Sequence, residues 1–181
     1  AAKHKARIPN SILQVAASIE GKRDWVIVDG NREVDPLTKI MAHLETGKYK
    51  YFGATVLPGP QLQQVYPIVK ATRERFPEVV NIWGGYFPAN QYKAVLNSPY
   101  VDYVINGPGD NAFPNMLDAL DQGLPLFNIP NLMFKSDGEY VKTAKEALPN
   151  MNKLPSLPYD KLHALYSMDG YLNRTFLGRR T

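Results

Sequence analysis

The chain contains no cysteine. That excludes disulfides, zinc–thiolate centres and any iron–sulfur cluster held by this segment. Histidine is scarce as well. His4, His43 and His163 are dispersed, and none has a metal-ligand partner at useful spacing. No apolar run approaches the roughly 18 residues that span a bilayer, and no charged-then-apolar leader opens the sequence. The expected setting is the cytoplasm. There is no G-x-S-x-G elbow, no G-x-x-x-x-G-K-[ST] and no G-x-G-x-x-G. Gly107-Pro-Gly109 has only half of the last pattern. No basic stripe with interleaved aromatics runs through the body, so no nucleic-acid surface is expected. The net charge of +4 sits partly at the ends, in Lys3, Lys5, Arg7, Arg174, Arg179 and Arg180, and reads as solvated tails. No residue stands out as catalytic or as a metal ligand.

What is present is enough for one αβ domain and an appendage: 181 residues, 44% of them hydrophobic. The organising stretch is Val79-Val-Asn-Ile-Trp-Gly-Gly-Tyr-Phe-Pro88. It reads as a buried strand, a tight turn and a helix start. One glycine turns the chain and the next lets another group approach the backbone. Pro88 suits a first helical turn.

In order along the chain, Asn10 or Ser11 can cap a helix with Ile12, Ala16 and Ile19 on one face, ended by Gly21. Trp25-Val-Ile-Val-Asp29 predicts a short buried strand. Asp35 caps a helix with Pro36 in its first turn and Leu37, Ile40, Met41 and Leu44 on one face. Tyr51 to Leu57 is the next strand. A helical stretch then runs to about Phe76, with a kink or split expected at Pro67. After the organising strand, Pro88 to Asn97 is a short helix and Tyr100 to Ile105 a strand. Asp110 or Asn111 caps a helix that Gly123 ends. Asn131 to Lys142 is a hairpin turning at Asp137-Gly138. The proline-bearing stretch 147–159 reads as a linker along the domain edge. Lys161 to Thr181, with Tyr166, Tyr171 and Phe176, reads as a lead into something downstream.

Strands alternating with helices predict a Rossmann-like or flavodoxin-like parallel sheet with helices on both faces, plus a C-terminal hairpin and connector. The expected divisions are 1–125 for the αβ domain, 126–146 for the hairpin and 147–181 for the linker. A central first strand is missing, since residues 1–9 cannot supply it. Ligands in such sheets bind outside the carboxyl ends of the strands. Those ends are Asp29-Gly-Asn31, Thr55 to Pro60, Gly84 to Pro88 and Asn106 to Asp110. Small residues, aromatic walls and few charges suit a large, flat, mostly apolar ligand. Asp29, Asp102 and Asp110 can in principle act as acids or bases, though capping or strand-end hydrogen bonding is the ordinary job for each.

Asp29-Gly-Asn31, Leu57-Pro-Gly-Pro-Gln61, Trp83-Gly-Gly-Tyr-Phe-Pro88, Val101-Asp-Tyr-Val104 and Gly107-Pro-Gly-Asp110 match a known pattern. Together they resemble the cobalamin-binding domain that precedes the radical S-adenosylmethionine domain in cobalamin-dependent radical enzymes. The agreement covers roughly residues 8–160. The broader cobalamin pattern, D-x-H-x-x-G then S-x-L then G-G, is also approached. Thr55-Val56-Leu57 stands at S-x-L, and the gap 58–83 before Gly84-Gly85 fits. The D-x-H-x-x-G slot falls near Ile8 to Leu13, with Asn10 where the histidine would be. The sequence thus resembles the branch whose cobalt has no protein histidine below it.

The resemblance implies a cobalamin module, tied to methyl transfer or related radical chemistry. S-adenosylmethionine and a 4Fe-4S cluster would belong to a downstream domain of the same protein. It implies cofactor contacts from Asn10, Ser11, Thr55, Val56, Leu57, Gly59, Pro60, Gln61, Gly84, Gly85, Tyr86, Phe87, Pro88, Gly107, Gly109 and Asp110. The family form of the last motif is G-E-G-E. Pro108 removes one of its carboxylates, and Asp110 shortens the other. Two other readings compete. A non-catalytic flavodoxin-like ligand-binding or regulatory domain of the receiver type wants clustered acids at one strand end, but Asp29 stands alone. A nucleotide-sugar transferase domain wants a phosphate clamp that the strand ends lack.

Overall fold

The computed structural model describes residues 7–172. Helix α1, Asn10–Ile19, buries Leu13, Ala16, Ala17 and Ile19. Asn10 and Ser11 do not cap it. Pro9 holds the cap position, so both are already helical. Helix α2, Pro36–Glu45, starts as expected, with the Asp35 carboxylate accepting from Thr38 N at 3.0 Å.

Residues 25–29 form no strand. Their apolar alternation is real: Trp25 and Ile27 pack on the α1 side, and Val28 packs with α2. Yet among the described residues the segment pairs with no strand. The sequence pattern reports burial, and burial does not require a ladder.

Strand β1 is Tyr51–Thr55, ending two residues earlier than expected. Helix α3, Pro60–Arg75, is continuous through Pro67. Pro67 and Gln63, whose carbonyl it leaves unpaired, are both exposed, so water replaces the missing bond and no split follows. Strand β2 is Val80–Gly84. The single helix expected from Pro88 is two: α4, Tyr86–Asn90, and α5, Tyr92–Asn97, broken at Gln91. Strand β3 is short, Tyr103–Ile105. Helix α6, Gly109–Gln122, has Pro108 at its cap, so Asp110 and Asn111 lie inside its first turn rather than before it. Strands β4, Leu132–Ser136, and β5, Glu139–Lys142, form the expected hairpin. Asp137 and Gly138 both have positive φ, 51° and 82°, as a two-residue primed turn requires.

The sheet is open and mixed, in the order β1-β2-β3-β4-β5. The first three strands are parallel, and β4 and β5 are antiparallel to their predecessors. The hairpin therefore extends the sheet. One face packs Ile82, Ile105, Leu132 and Phe134 under α1 and α6. The other packs Trp83, Val104 and Met133 under α3 and α5. The connector is partly core. Helices α7, Tyr159–Leu165, and α8, Asp169–Leu172, bring Leu162, Tyr166 and Tyr171 against Leu13, Ala16 and Ile27. Phe176 lies outside the described residues.

Candidate functional site

Three loops meet at the carboxyl edge of the parallel strands. The first follows β1. Val56, fully buried, donates from its N to Gly84 O at 2.9 Å. Leu57 N donates to Gln61 Oε1 at 2.9 Å, which folds the loop back on the first turn of α3. Leu57, Gly59 and Pro60 are exposed on the rim.

The second loop follows β2. Gly85 has φ of 95°, a backbone that favours glycine. A Cβ there would come within 3.1 Å of Thr55 Oγ1, Val56 N and Val56 O. Phe87 N donates to Val56 O at 3.1 Å. The two loops are thus locked together, and any side chain at this position would be strained. Gly84 differs: a Cβ on it would meet only Ile105, at 3.9 Å. Tyr86 is exposed, Phe87 half-buried and Pro88 buried.

The third loop follows β3. Asn106 N donates to Asn131 O at 2.8 Å, and Asn131 Nδ2 donates to Pro108 O at 3.3 Å. Asn131, buried with φ of 63°, therefore holds the Gly107-Pro-Gly109 turn from beneath. Gly109 lies against α1, where a Cβ would meet Val15 Cγ2 at 3.1 Å. Asp110 Oδ1 is buried and has no hydrogen-bond partner. A buried acceptor of this kind fits a ligand that brings an N–H or O–H.

Asn10 and Ser11 are exposed at the start of α1 and line the same cavity as Thr55, Leu57 and Gln61. The structure thus interlocks Thr55, Val56, Gly84, Gly85 and Phe87. Gly107, Gly109 and Asp110 stand beyond the next strand. Asn131, which positions the third loop, carries no sequence signal of its own and is absent from the residues expected above. Among the described residues, no cluster of three His, Cys, Asp or Glu is placed to hold a metal.

Asp29, at the end of the extended stretch 25–29, is clamped. The Tyr171 hydroxyl donates to Asp29 Oδ2 at 2.7 Å, and Asp29 N donates to the Tyr166 hydroxyl at 3.0 Å. The Tyr166 hydroxyl also donates to Glu33 Oε1 at 2.6 Å. Burial and the bond to Asp29 push the Tyr171 phenol up, and burial with the Glu33 contact does the same to Tyr166. Asp102 is likewise structural. It accepts from Arg73 through both carboxylate oxygens, at 2.6 and 2.5 Å, and from Asn81 N at 2.7 Å.

A family model described as B12 binding domain matches residues 8–117, and the chain belongs to that family. Among curated proteins, an uncharacterized methyltransferase of Pyrococcus horikoshii is 23% identical over 165 residues. The match covers 90% of this chain and 35% of that protein. An anaerobic magnesium-protoporphyrin IX monomethyl ester cyclase of Synechocystis is 26% identical over 72 residues, 39% of this chain and 14% of that protein. The chain spans a minor part of both. Among solved structures, the cobalamin-dependent S-adenosylmethionine radical enzyme OxsB with aqua-cobalamin bound superposes with a TM-score of 0.75. Its identity is 14%, covering 87% of this chain and 22% of OxsB. The radical S-adenosylmethionine methyltransferase TsrM of Kitasatospora setae gives 0.66 at 18% identity, covering 78% of this chain and 28% of TsrM. At such identities the likeness is one of fold. Among the described residues, no helix is long and apolar enough to cross a membrane.

Proposed function

We propose that this chain is the cobalamin-holding module of a cytoplasmic radical S-adenosylmethionine enzyme, of methyltransferase or related activity. The observation that carries the reading is the interlock of Thr55-Val56 with Gly84-Gly85 at the carboxyl edge of the sheet. The residues fit the cofactor. Gly84 carries no side chain beside the locked turn, and Asp110 offers a buried, unpartnered acceptor. Exposed Leu57, Gly59, Pro60 and Tyr86 supply an apolar rim.

In this reading Thr55, Val56, Leu57, Gly84 and Gly85 hold the nucleotide tail, with Asn10, Ser11 and Gln61 at its entrance. Gly59, Pro60, Tyr86, Phe87, Pro88, Gly107, Gly109 and Asp110 face the corrin. The Thr55 hydroxyl hydrogen-bonds the tail, and Asp110 accepts from a peripheral amide of the ring. Bound cobalamin supplies the methyl-transfer or radical chemistry, and this chain supplies placement and environment. The S-adenosylmethionine and 4Fe-4S sites belong to a domain reached through the connector 147–181. The hairpin 126–146 closes the far edge of the module.

Equilibrium dialysis against hydroxocobalamin tests this reading. One cobalamin retained per folded chain is expected. Asp110→Ala should weaken retention by about tenfold, the worth of one hydrogen bond near 1.4 kcal/mol. A folded chain that retains none overturns the reading.

A further inference from the structure

The hairpin end of the sheet assembles a basic surface from separate stretches of sequence. Helix α5 supplies Tyr92, Lys93 and Asn97, and the hairpin supplies Lys135, Tyr140 and Lys142. Met133 and Tyr140 pack on the Trp83 face, so strand alternation puts Lys135 and Lys142 on that side too. Val141 packs on the opposite face, and Glu139 alternates with it.

The Tyr92 and Tyr140 rings meet edge to face, with centroids 5.9 Å apart. Lys93 Nζ and Lys135 Nζ lie 5.7 and 5.0 Å from the Tyr140 centroid, and Lys142 Nζ lies 5.8 Å from that of Tyr92. The rings therefore gather the three ammonium groups. All three lysines are exposed, and among the described residues none pairs with a carboxylate. Residues 86–101 contain no Asp or Glu. The Tyr140 hydroxyl and Lys135 Nζ both donate to Asn97 Oδ1, at 2.5 and 2.7 Å. Lysine can only donate, so this contact fixes the amide and turns its Nδ2 away as a further donor.

The surface borders an open sheet edge, since β5 is terminal. Thr143 N donates to Leu132 O at 3.0 Å. Alternation then turns the backbone groups of Tyr140 and Lys142 outward. Among the described residues, neither makes a backbone hydrogen bond to a segment outside the hairpin. Lysine on an edge strand ordinarily keeps other strands away. Here only Lys142 belongs to the edge strand; Lys93 and Lys135 come from α5 and β4.

We propose that this corner docks an extended acidic segment of a partner protein. The segment adds as a strand beside β5, bonding to the backbone of Tyr140 and Lys142. Its carboxylates, on alternate residues, meet Lys93, Lys135 and Lys142. A second copy of this chain fits poorly, because β5 against β5 would bring lysines together. Single-stranded nucleic acid also fits less well. Both tyrosines are half-buried and carry ammonium groups over their rings, so neither offers a free face to a base. This inference does not depend on the cofactor reading.

Fluorescence anisotropy of the full chain with a labelled peptide tests it. The probe is about eight residues of alternating glutamate and valine. Binding should weaken at least about tenfold in the combined variant Lys93→Gln, Lys135→Gln and Lys142→Gln. It should return when the same three positions are arginine. All three side chains are exposed, and circular dichroism confirms that the variants are folded. The same peptide methylated on every backbone nitrogen should also bind at least about tenfold more weakly, because it keeps the charge and loses the strand donors. Absence of binding at about millimolar peptide overturns the proposal. Equal binding by the methylated peptide, or by the glutamine variant, overturns it as well. So does a thymidine oligonucleotide that binds more tightly than the peptide through the same lysines.

Discussion

Gly85 lies so close to Thr55 that a single added carbon would stand 3.1 Å from the threonine Oγ1. The same carbon would press on both backbone polar atoms of Val56. The turn after β2 and the turn after β1 are therefore one unit.

The two adjacent glycines should respond differently to alanine. Gly85→Ala meets both the contact and the positive φ, and should cost about 1–3 kcal/mol. Gly84→Ala meets only Ile105 at 3.9 Å, and should stay within about 0.5 kcal/mol of the parent. Urea unfolding of the two variants checks this. Equal losses would mean that the two turns are not locked as described.

Asp102→Ala should destabilise the fold. It removes the acceptor for Arg73 and for Asn81 N, and leaves a guanidinium half-buried without its carboxylate. A loss of about 1–3 kcal/mol is expected, with cobalamin retention intact once the chain is folded. Loss of retention in a fully folded variant would give Asp102 a part in the site.

Tyr171→Phe should loosen the connector. The hydroxyl it removes is the donor to Asp29 Oδ2, a bond to a charged group worth about 1.5–3 kcal/mol. Limited proteolysis should cut residues 147–172 faster in the variant, with β2 and α6 still protected. Unchanged cleavage would show that the bond to Asp29 does not hold the connector.

Alkaline pH should weaken the fold through Tyr51. Burial, with the hydrogen bond to Asp121, pushes its phenol up to about 12. The folded pKa lies above the unfolded value of about 10. The contribution is thus present in full below that pH and lost as pH rises towards 12. Urea midpoints should fall across this window, and Tyr51→Phe should fall less steeply. Parallel curves would remove Tyr51 from the account.

Much of this was legible in the sequence. Asp35-Pro36, Asp137-Gly138 and the run into Gly84-Gly85 each carry a local chemical signal, and each folds as that signal dictates. The misses share a cause. Trp25 to Asp29 has the composition of a strand, but a ladder needs a neighbour that no local pattern reveals. Pro67 sits in a helical run, and only its exposure explains why the helix continues. At the site, the glycines and prolines were visible from spacing. Asn131 was not, because its role depends on bonds to Asn106 and Pro108 across more than twenty positions. Tyr166 and Tyr171 read as a lead outward, since nothing local ties them to Asp29 and Glu33.

The most direct test is a visible absorption titration of the chain with hydroxocobalamin, repeated with Gly85→Leu. The account predicts stoichiometric binding, read as a shift of the free cofactor's absorption bands, and loss of that binding in the variant. A folded chain that binds none contradicts it. So does binding that Gly85→Leu leaves unchanged.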